Sequence, residues 1–465
     1  MAGVGLGEES VNIALPGQSR EEKDLMPRWF VLGLGLVFMY GAAWSAQPPT
    51  GPVADRLPGS AIERLLATMQ EAVDLAPQSR ARLADLEATA EELRVDAASS
   101  APAIAWQREG IGSSFNRQPN SIDYLKLVKS YNFPWQKSAG NRVVEGADRW
   151  ESVEAISIVY SEALAAGSDW LSLAAATEDL AIAKRRLEQL TRALAIQDQR
   201  FELGEVSGSE VTQLRLARLG ESARLRAQEV QVRLIQARLR ARVVSDELDP
   251  VLGDLESLVR LDVTELPVED GLGSLVESSP AVQAARLRAN LEEATSRLAR
   301  RISWGRPAAE IEWERVPDMG DIEGFSAFGF HLAFPLPFGK AAQRTTAAAE
   351  ARAASAAQEL ELIHREVTSW LHNELATGLG AEDTLEELVP ELVGLPRARD
   401  SLSQQFALGA VSYLVYLDGL ARLDEVELQG VEARRALLEA RLSMALLLAH
   451  DSLFPIPTFD AEVAP

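Results

Sequence analysis

Two landmarks occur twice in this chain at nearly the same spacing. Phe201-Glu202-Leu203-Gly204-Glu205-Val206-Ser207 returns as Phe406-Ala407-Leu408-Gly409-Ala410-Val411-Ser412, and Phe133-Pro134 returns as Phe334-Pro335. Gly204 to Gly409 is 205 residues and Pro134 to Pro335 is 201. Two ordered landmarks at one spacing point to a duplicated unit of about 200 residues. Each unit reads the same way. A helical stretch (Ala61–Leu93, then Ser279–Arg301) precedes two short strand-like segments. Phe-Pro follows, then a very long helical stretch, a tight Leu-Gly turn and a return helix. The expected fold is mainly α with a small β part. Its expected divisions are a leader with signal peptide over 1–46, a first repeat over 47–270, a second over 271–452 and a tail over 453–465.

The long stretch from about Asn141 to Arg200 carries Leu173, Leu180, Leu187, Leu194 and Phe201 every seven residues, with Ala176, Ala183 and Leu190 between. That is an a/d seam over four heptads. At ~1.5 Å per residue such a helix reaches ~90 Å, longer than a globular core requires. Gly204 suits the left-handed position that ends a helix, and Ser207 with Glu210 reads as a capping box for the return helix, Gly208 to about Val244. Ser412 can cap likewise, but Val415 stands where the box needs Glu. The second long stretch, Leu360–Gln405, contains Gly378, Gly380, Pro390, Gly394 and Pro396, which predict a kink or break near 380–396.

Phe325–Phe334 alternates large apolar residues (Phe328, Phe330, Leu332, Phe334) with Ala327, Gly329, His331 and Ala333. Ala309–Val316 alternates Ala309, Ile311 and Trp313 with Glu310, Glu312 and Glu314. A transmembrane β-strand needs ~9–11 residues, apolar outward and polar toward the lumen, and both segments roughly fit. The three glutamates are then lumen-facing, and Pro317–Gly324 is the external loop. In the first unit the strand segments are Ala101–Ile111 and Ile122–Phe133, where Leu125, Leu127, Tyr131 and Phe133 share a face interrupted by Lys129. Four strands cannot close a barrel, since even small ones need about eight, and open edges are unsatisfied in lipid. Copies must pool their strands, and three copies would supply 12.

Composition narrows the functions. With 46 Lys and Arg against 69 Asp and Glu, the net charge is −23, the wrong sign for a nucleic-acid partner. There are 0 Cys, so disulfides, thiolate metal sites and thiol nucleophiles are excluded. Trp29–Tyr40 is an apolar run of 12, preceded by Arg28 and followed by small residues, the form of a secretory signal and too short for a ~20-residue membrane span. Its position favours translation from Met26 or an unusually long leader. The four histidines, His331, His364, His372 and His450, lack metal-pair spacing, and no phosphate loop or nucleophile elbow occurs. No enzyme activity and no cofactor are expected.

These features together resemble the TolC-like outer-membrane efflux family over about residues 55–450. The most specific pieces are the turns Leu203–Ser207 and Leu408–Ser412 and the junctions at Phe133 and Phe334, the second reading AFPLPFGKAAQ. The resemblance implies a homotrimer with a 12-stranded β-barrel in outer-membrane lipid, joined to a periplasmic α-helical barrel. It implies that the tip turns (Leu203, Gly204, Ser207, Leu408, Gly409, Ser412) meet a periplasmic adaptor (membrane fusion) protein, and that an inner-membrane pump supplies the energy. Asp418 matches one aspartate that narrows the family's tunnel mouth; the other position falls on Val415. Glu210 matches an acidic position that holds the closed state, while its basic partner position falls on Val411. Three copies of one carboxylate near an axis would favour cations in a narrow mouth. Two alternatives remain: a type I protein-secretion duct of the same fold, and a periplasmic coiled-coil scaffold.

Overall fold

A computed structural model describes residues 60–75, 77–98, 101–110, 121–260, 271–316, 318, 323–334 and 340–453. The expected leader, residues 317 and 319–322 of the external loop, the Pro335–Gly339 part of the second junction and the tail beyond Leu453 lie outside the described residues.

The elements run α1 (Ala61–Leu75), α2 (Pro77–Ala97), β1 (Ala103–Gly110), β2 (Ser121–Ser130), α3 (Pro134–Glu202) and α4 (Gly208–Arg240). Two short helices follow, α5 (Asp254–Val259) and α6 (Leu272–Ser278). Then come α7 (Pro280–Ile302), β3 (Ala308–Val316), β4 (Phe325–Ala333), α8 (Lys340–Ala407) and α9 (Tyr413–Leu453). The strand–strand–long helix–return helix order therefore occurs twice. The 69 residues of α3 and 68 of α8 each span about 100 Å.

Several boundaries differ from the sequence expectation. The stretch Ala61–Leu93 is two helices, not one. The short α5 and α6 lie outside that expectation altogether. The first long helix starts at Pro134 rather than near Asn141, because proline at the first helical position costs no hydrogen bond. Gln136 secures that start: its Oε1 accepts from the Phe133 N–H at 2.9 Å, and its Nε2 donates to the carbonyls of Arg301 (3.0 Å) and Gly305 (2.8 Å). The strand β2 stops at Ser130, so Phe133 lies outside it, stacked on Trp135 at 4.3 Å. Gly140 explains why α3 can pass so close to α2: a Cβ there would stand 2.8 Å from the Ala97 carbonyl oxygen.

The expected break near 380–396 does not occur; α8 runs unbroken through Pro390 and Pro396. Both prolines are exposed, so water can serve the carbonyls of Glu386 and Leu392 that lose their donors. Packing holds the helix on either side. Ala381 and Leu385 pack with Ala433 and Leu437 of α9 above the prolines, and Phe406 stacks on Tyr416 at 4.4 Å below them.

The helices form a ribbon rather than a ball. Nearest the sheet its order is α2, α3, α7, α8; toward the Leu-Gly turns it is α4, α3, α9, α8. Between these halves α1, α5 and the turn at Asp246–Leu248 gather around Trp170, whose indole N–H donates to the Leu248 carbonyl at 2.7 Å. Arg64 of α1 is tied to the buried Asp254 at 2.5 Å. The predicted seam is partly realised. Leu173, Ala176, Ala183, Leu190 and Leu194 are buried, Leu180 and Leu187 are half-buried, and Phe201 is exposed at the turn.

Candidate functional site

The four strands form one antiparallel sheet in the order β1-β2-β3-β4, leaving β1 and β4 as edges. The register sorts side chains into rows. One face carries Ile104–Leu127–Ile311–Phe330 and Trp106–Leu125–Trp313–Phe328. Most of these are solvent-exposed within the single chain, Ile104 to 74% and Phe328 to 81%. Among the described residues no helix covers them, and a face of this kind is stable only against an apolar medium or a partner. The opposite face carries Ala105–Lys126–Glu312–Gly329, Gln107–Tyr124–Glu314–Ala327 and Ala103–Val128–Glu310–His331. Glu310, Glu312 and Glu314 thus share the polar face, as alternation predicted. Lys126 Nζ lies 3.5 Å from Glu310 and 3.4 Å from Glu312, and His331 Nε2 lies 3.2 Å from Glu312. Ile104 and Trp106 are additions to the sequence expectation, although their alternation with Ala105 and Gln107 carries the signal.

At the far end of the ribbon sit the two Leu-Gly turns. Gly204 and Gly409 have φ of +78° and +76°, the left-handed conformation their positions required. Leu203 and Leu408 stand 75% and 83% exposed beside them. The Ser207 hydroxyl accepts from the Glu210 N–H at 3.4 Å, and Ser412 caps the Val415 N–H at the same distance. The reciprocal half of the box is replaced: the Glu210 carboxylate accepts from Gln197 Nε2 at 3.2 Å instead.

Three ties between the hairpins were not legible in sequence. Arg200, before the first turn, donates to the Ala407 carbonyl at 2.8 Å, and its guanidinium lies 5.9 Å from the Phe406 ring centroid. Tyr413 hydrogen-bonds Gln213. Further up, Asp424 is buried and takes Arg186 of α3 at 2.5 Å and Arg399 of α8 at 2.7 Å. Arg399 also reaches Glu427 at 2.7 Å, Arg185 reaches Glu427 at 2.6 Å, and Arg186 reaches Glu221 of α4 at 3.3 Å. Three arginines and three acids balance, so one neutral network joins all four helices. Asp418, by contrast, is exposed and paired with Arg422 one turn on, at 3.0 Å.

Asp179 on α3 is pushed up to about 6, first by burial and then by Glu432 across on α9, against the pull of Arg224 and Arg435. Among the described residues no helix is long and apolar enough to cross a membrane, and no group of acids and histidines is arranged to hold a metal ion.

A sheet apolar on one face, open at both edges and continued by paired helices of about 100 Å is matched in solved structures. The Campylobacter jejuni CmeC outer membrane channel superposes with a TM-score of 0.64 at 10% identity, covering 95% of this chain and 94% of that one. CusC, described for its transmembrane channel formation, gives 0.64 at 14% identity over 89% and 99%. The open state of the Neisseria gonorrhoeae MtrE outer membrane channel gives 0.59 at 15% identity over 83% and 89%. The fold is one shared with these outer-membrane channels. At these identities the likeness is one of architecture. No protein-family model matches the chain, and neither does any curated protein.

Proposed function

We propose that this chain is the outer-membrane exit duct of a tripartite efflux system. Three copies pool their sheets into a 12-stranded barrel and their ribbons into a periplasmic tunnel. The observation that carries the reading is that sheet and ribbon are incomplete in the same way. The sheet ends on β1 and β4. The ribbon ends on α4 and α8 toward the turns, and on α2 and α8 toward the sheet. The α4 edge carries an exposed apolar stripe of Leu216, Leu219, Val230 and Leu234, and α8 offers Leu379 and Val393. Copies related by rotation can cover these edges head to tail and close a ring.

In this reading the rows of Ile104, Trp106, Phe328 and Phe330 face outer-membrane lipid, and Glu310, Glu312 and Glu314 line the lumen. The turns at Leu203, Gly204 and Ser207 and at Leu408, Gly409 and Ser412 meet a periplasmic adaptor coupled to an inner-membrane pump. Asp418 and Glu210 lie near the tunnel mouth. Val411 cannot supply a charged latch to Glu210; Arg200 on Ala407 and Tyr413 on Gln213 tie the two turns instead.

The test is to purify the chain from the outer-membrane fraction, determine its mass in detergent and record currents in planar bilayers. A trimer with steady single-channel conductance is the expected result. A monomer without conductance, recovered from the soluble periplasm, would overturn the proposal in favour of a scaffold.

A further inference from the structure

Granted the lipid-facing reading of the sheet, on which this inference rests, the strand register bears on the kind of bilayer the sheet fits. Along the apolar face the rows Trp106–Leu125–Trp313–Phe328 and Ile104–Leu127–Ile311–Phe330 are oily throughout. One row beyond, toward the strand ends farthest from the helices, the same face reads Asp123–Arg315–Ser326. Three neighbouring strands turn polar at one level. On the helix side, Lys129 projects on this face beside Ala309 and Leu332. Its ammonium lies 5.4 Å from the ring centroid of Tyr131, bent toward the helices and away from the oily rows. Tyr131, Trp135 and Phe334 are exposed there, the arrangement of an interfacial aromatic girdle.

These markers bracket a short band. From the Ala309 level to Arg315 is six residues, about 20 Å along a strand and about 16 Å across a bilayer at the ~40° tilt of such barrels. Carried down to Tyr131 the span is eight residues of β2 and its end, about 21 Å across. The apolar band of an outer-membrane barrel is typically ~25 Å tall. We infer that the partner of this surface is a bilayer with a thin hydrocarbon core, and that Lys129 and the Asp123–Arg315 row set its limits. In thicker lipid these charges would be drawn below the headgroups, or the bilayer would have to thin around them. Lys129 relieves part of that by reaching toward the interface.

The experiment inserts the full chain into vesicles of phosphatidylcholines with 12-, 14-, 16- and 18-carbon chains and measures the thermal midpoint of the inserted protein in each. The midpoint is expected to peak in the shortest lipids. Lys129→Leu adds a row to the band, about 5 Å across the bilayer, and should move the peak to longer chains. Arg315→Leu should do so from the other end and serves if the first variant fails to fold. A peak in 18-carbon lipid, or a peak that neither variant moves, overturns the inference. Failure to insert in any lipid would instead strike at the duct reading itself.

Discussion

Phe330→Arg tests the assignment of the sheet faces most directly. Phe330 sits in an oily row inside the band, 64% exposed in the single chain. An arginine near the middle of a barrel's lipid face costs ~2–4 kcal/mol. Loss of roughly 100 Å² of phenyl surface buried in lipid adds about 2.5 kcal/mol. The sum is about 4–7 kcal/mol per copy, and three copies in one barrel multiply it to more than the whole stability of most domains. Glu314→Arg is the control. Glu314 lies three register positions away on the opposite face, beside Tyr124 and Ala327, and an arginine there enters a polar lumen. The assay is the protease-protected, heat-resistant fraction after dilution from detergent into vesicles. Phe330→Arg should leave almost none, and Glu314→Arg should match wild type while changing the sign preference of the current. Equal insertion of the two variants, or a worse defect in Glu314→Arg, would refute the face assignment.

Replacing both Gly204 and Gly409 with valine forces a β-branched residue into the left-handed φ of each turn, +78° and +76°, a strain of at least ~1–2 kcal/mol apiece. Insertion should be unaffected while tolerance to exported compounds is lost, and unchanged tolerance would count against the turns as the adaptor contact. Asp424→Ala leaves Arg186 with Glu221 alone and Arg399 with Glu427 alone, so it should lower the thermal midpoint but cost less than the ~3–5 kcal/mol of a fully broken buried pair. Arg399→Gln likewise leaves each acid one arginine and keeps an amide donor, so it should lower the midpoint less. Asp179 has its folded value raised from 3.8 to about 6, so its protonated form favours folding. The contribution is present below about pH 4 and is lost as pH rises through 6. It amounts to about 3 kcal/mol at most, and to less once solvent screening of a partly buried group is counted. Asp179→Asn should therefore raise the midpoint at about pH 7.5 and flatten the profile between about 4 and 7. Asp418→Ala should raise leak current in planar bilayers, and an unchanged current would remove Asp418 from the mouth.

What could be read from the sequence was whatever depends on local pattern. Alternation in Phe325–Phe334 fixed which side of β4 is oily, because side chains in a strand change faces every residue. Gly204 announced a left-handed turn because few other residues tolerate that conformation, and Gly409, its counterpart in the repeated Leu-Gly landmark, adopts the same one. What failed depended on neighbours distant in the chain. Pro390 and Pro396 argued for a break, yet packing of Ala381 and Leu385 on one side and Phe406 on the other keeps α8 continuous. The ties of Arg200 to Ala407 and of Asp424 to Arg186 join residues 207 and 238 positions apart, across helices whose order no periodicity states. In sequence Lys129 interrupts an apolar face; in the structure its ammonium lies beside the Tyr131 ring, past the oily rows on the helix side.

The two layers of the molecule constrain each other in a way neither does alone. In the sheet, the edge strands are β1 from the first repeat and β4 from the second. In the ribbon, the edge helices are α2 and α4 from the first repeat and α8 from the second. At every level one side of the protomer thus belongs to the first repeat and the other to the second. Any rotation that brings β4 of one copy against β1 of the next therefore also brings α8 against the neighbour's α2 and α4. In the proposed duct a single head-to-tail operation would satisfy backbone groups at the sheet edges and apolar stripes along the ribbon. Two copies would supply eight strands, about the smallest number that closes a barrel, but eight leave an interior filled by side chains. An open passage requires more strands, and the acids Glu310, Glu312 and Glu314, placed on the face that must turn inward, have a use only if that interior is wet. The polar face thus argues for a ring larger than the minimum, and the third copy is the first addition that provides one.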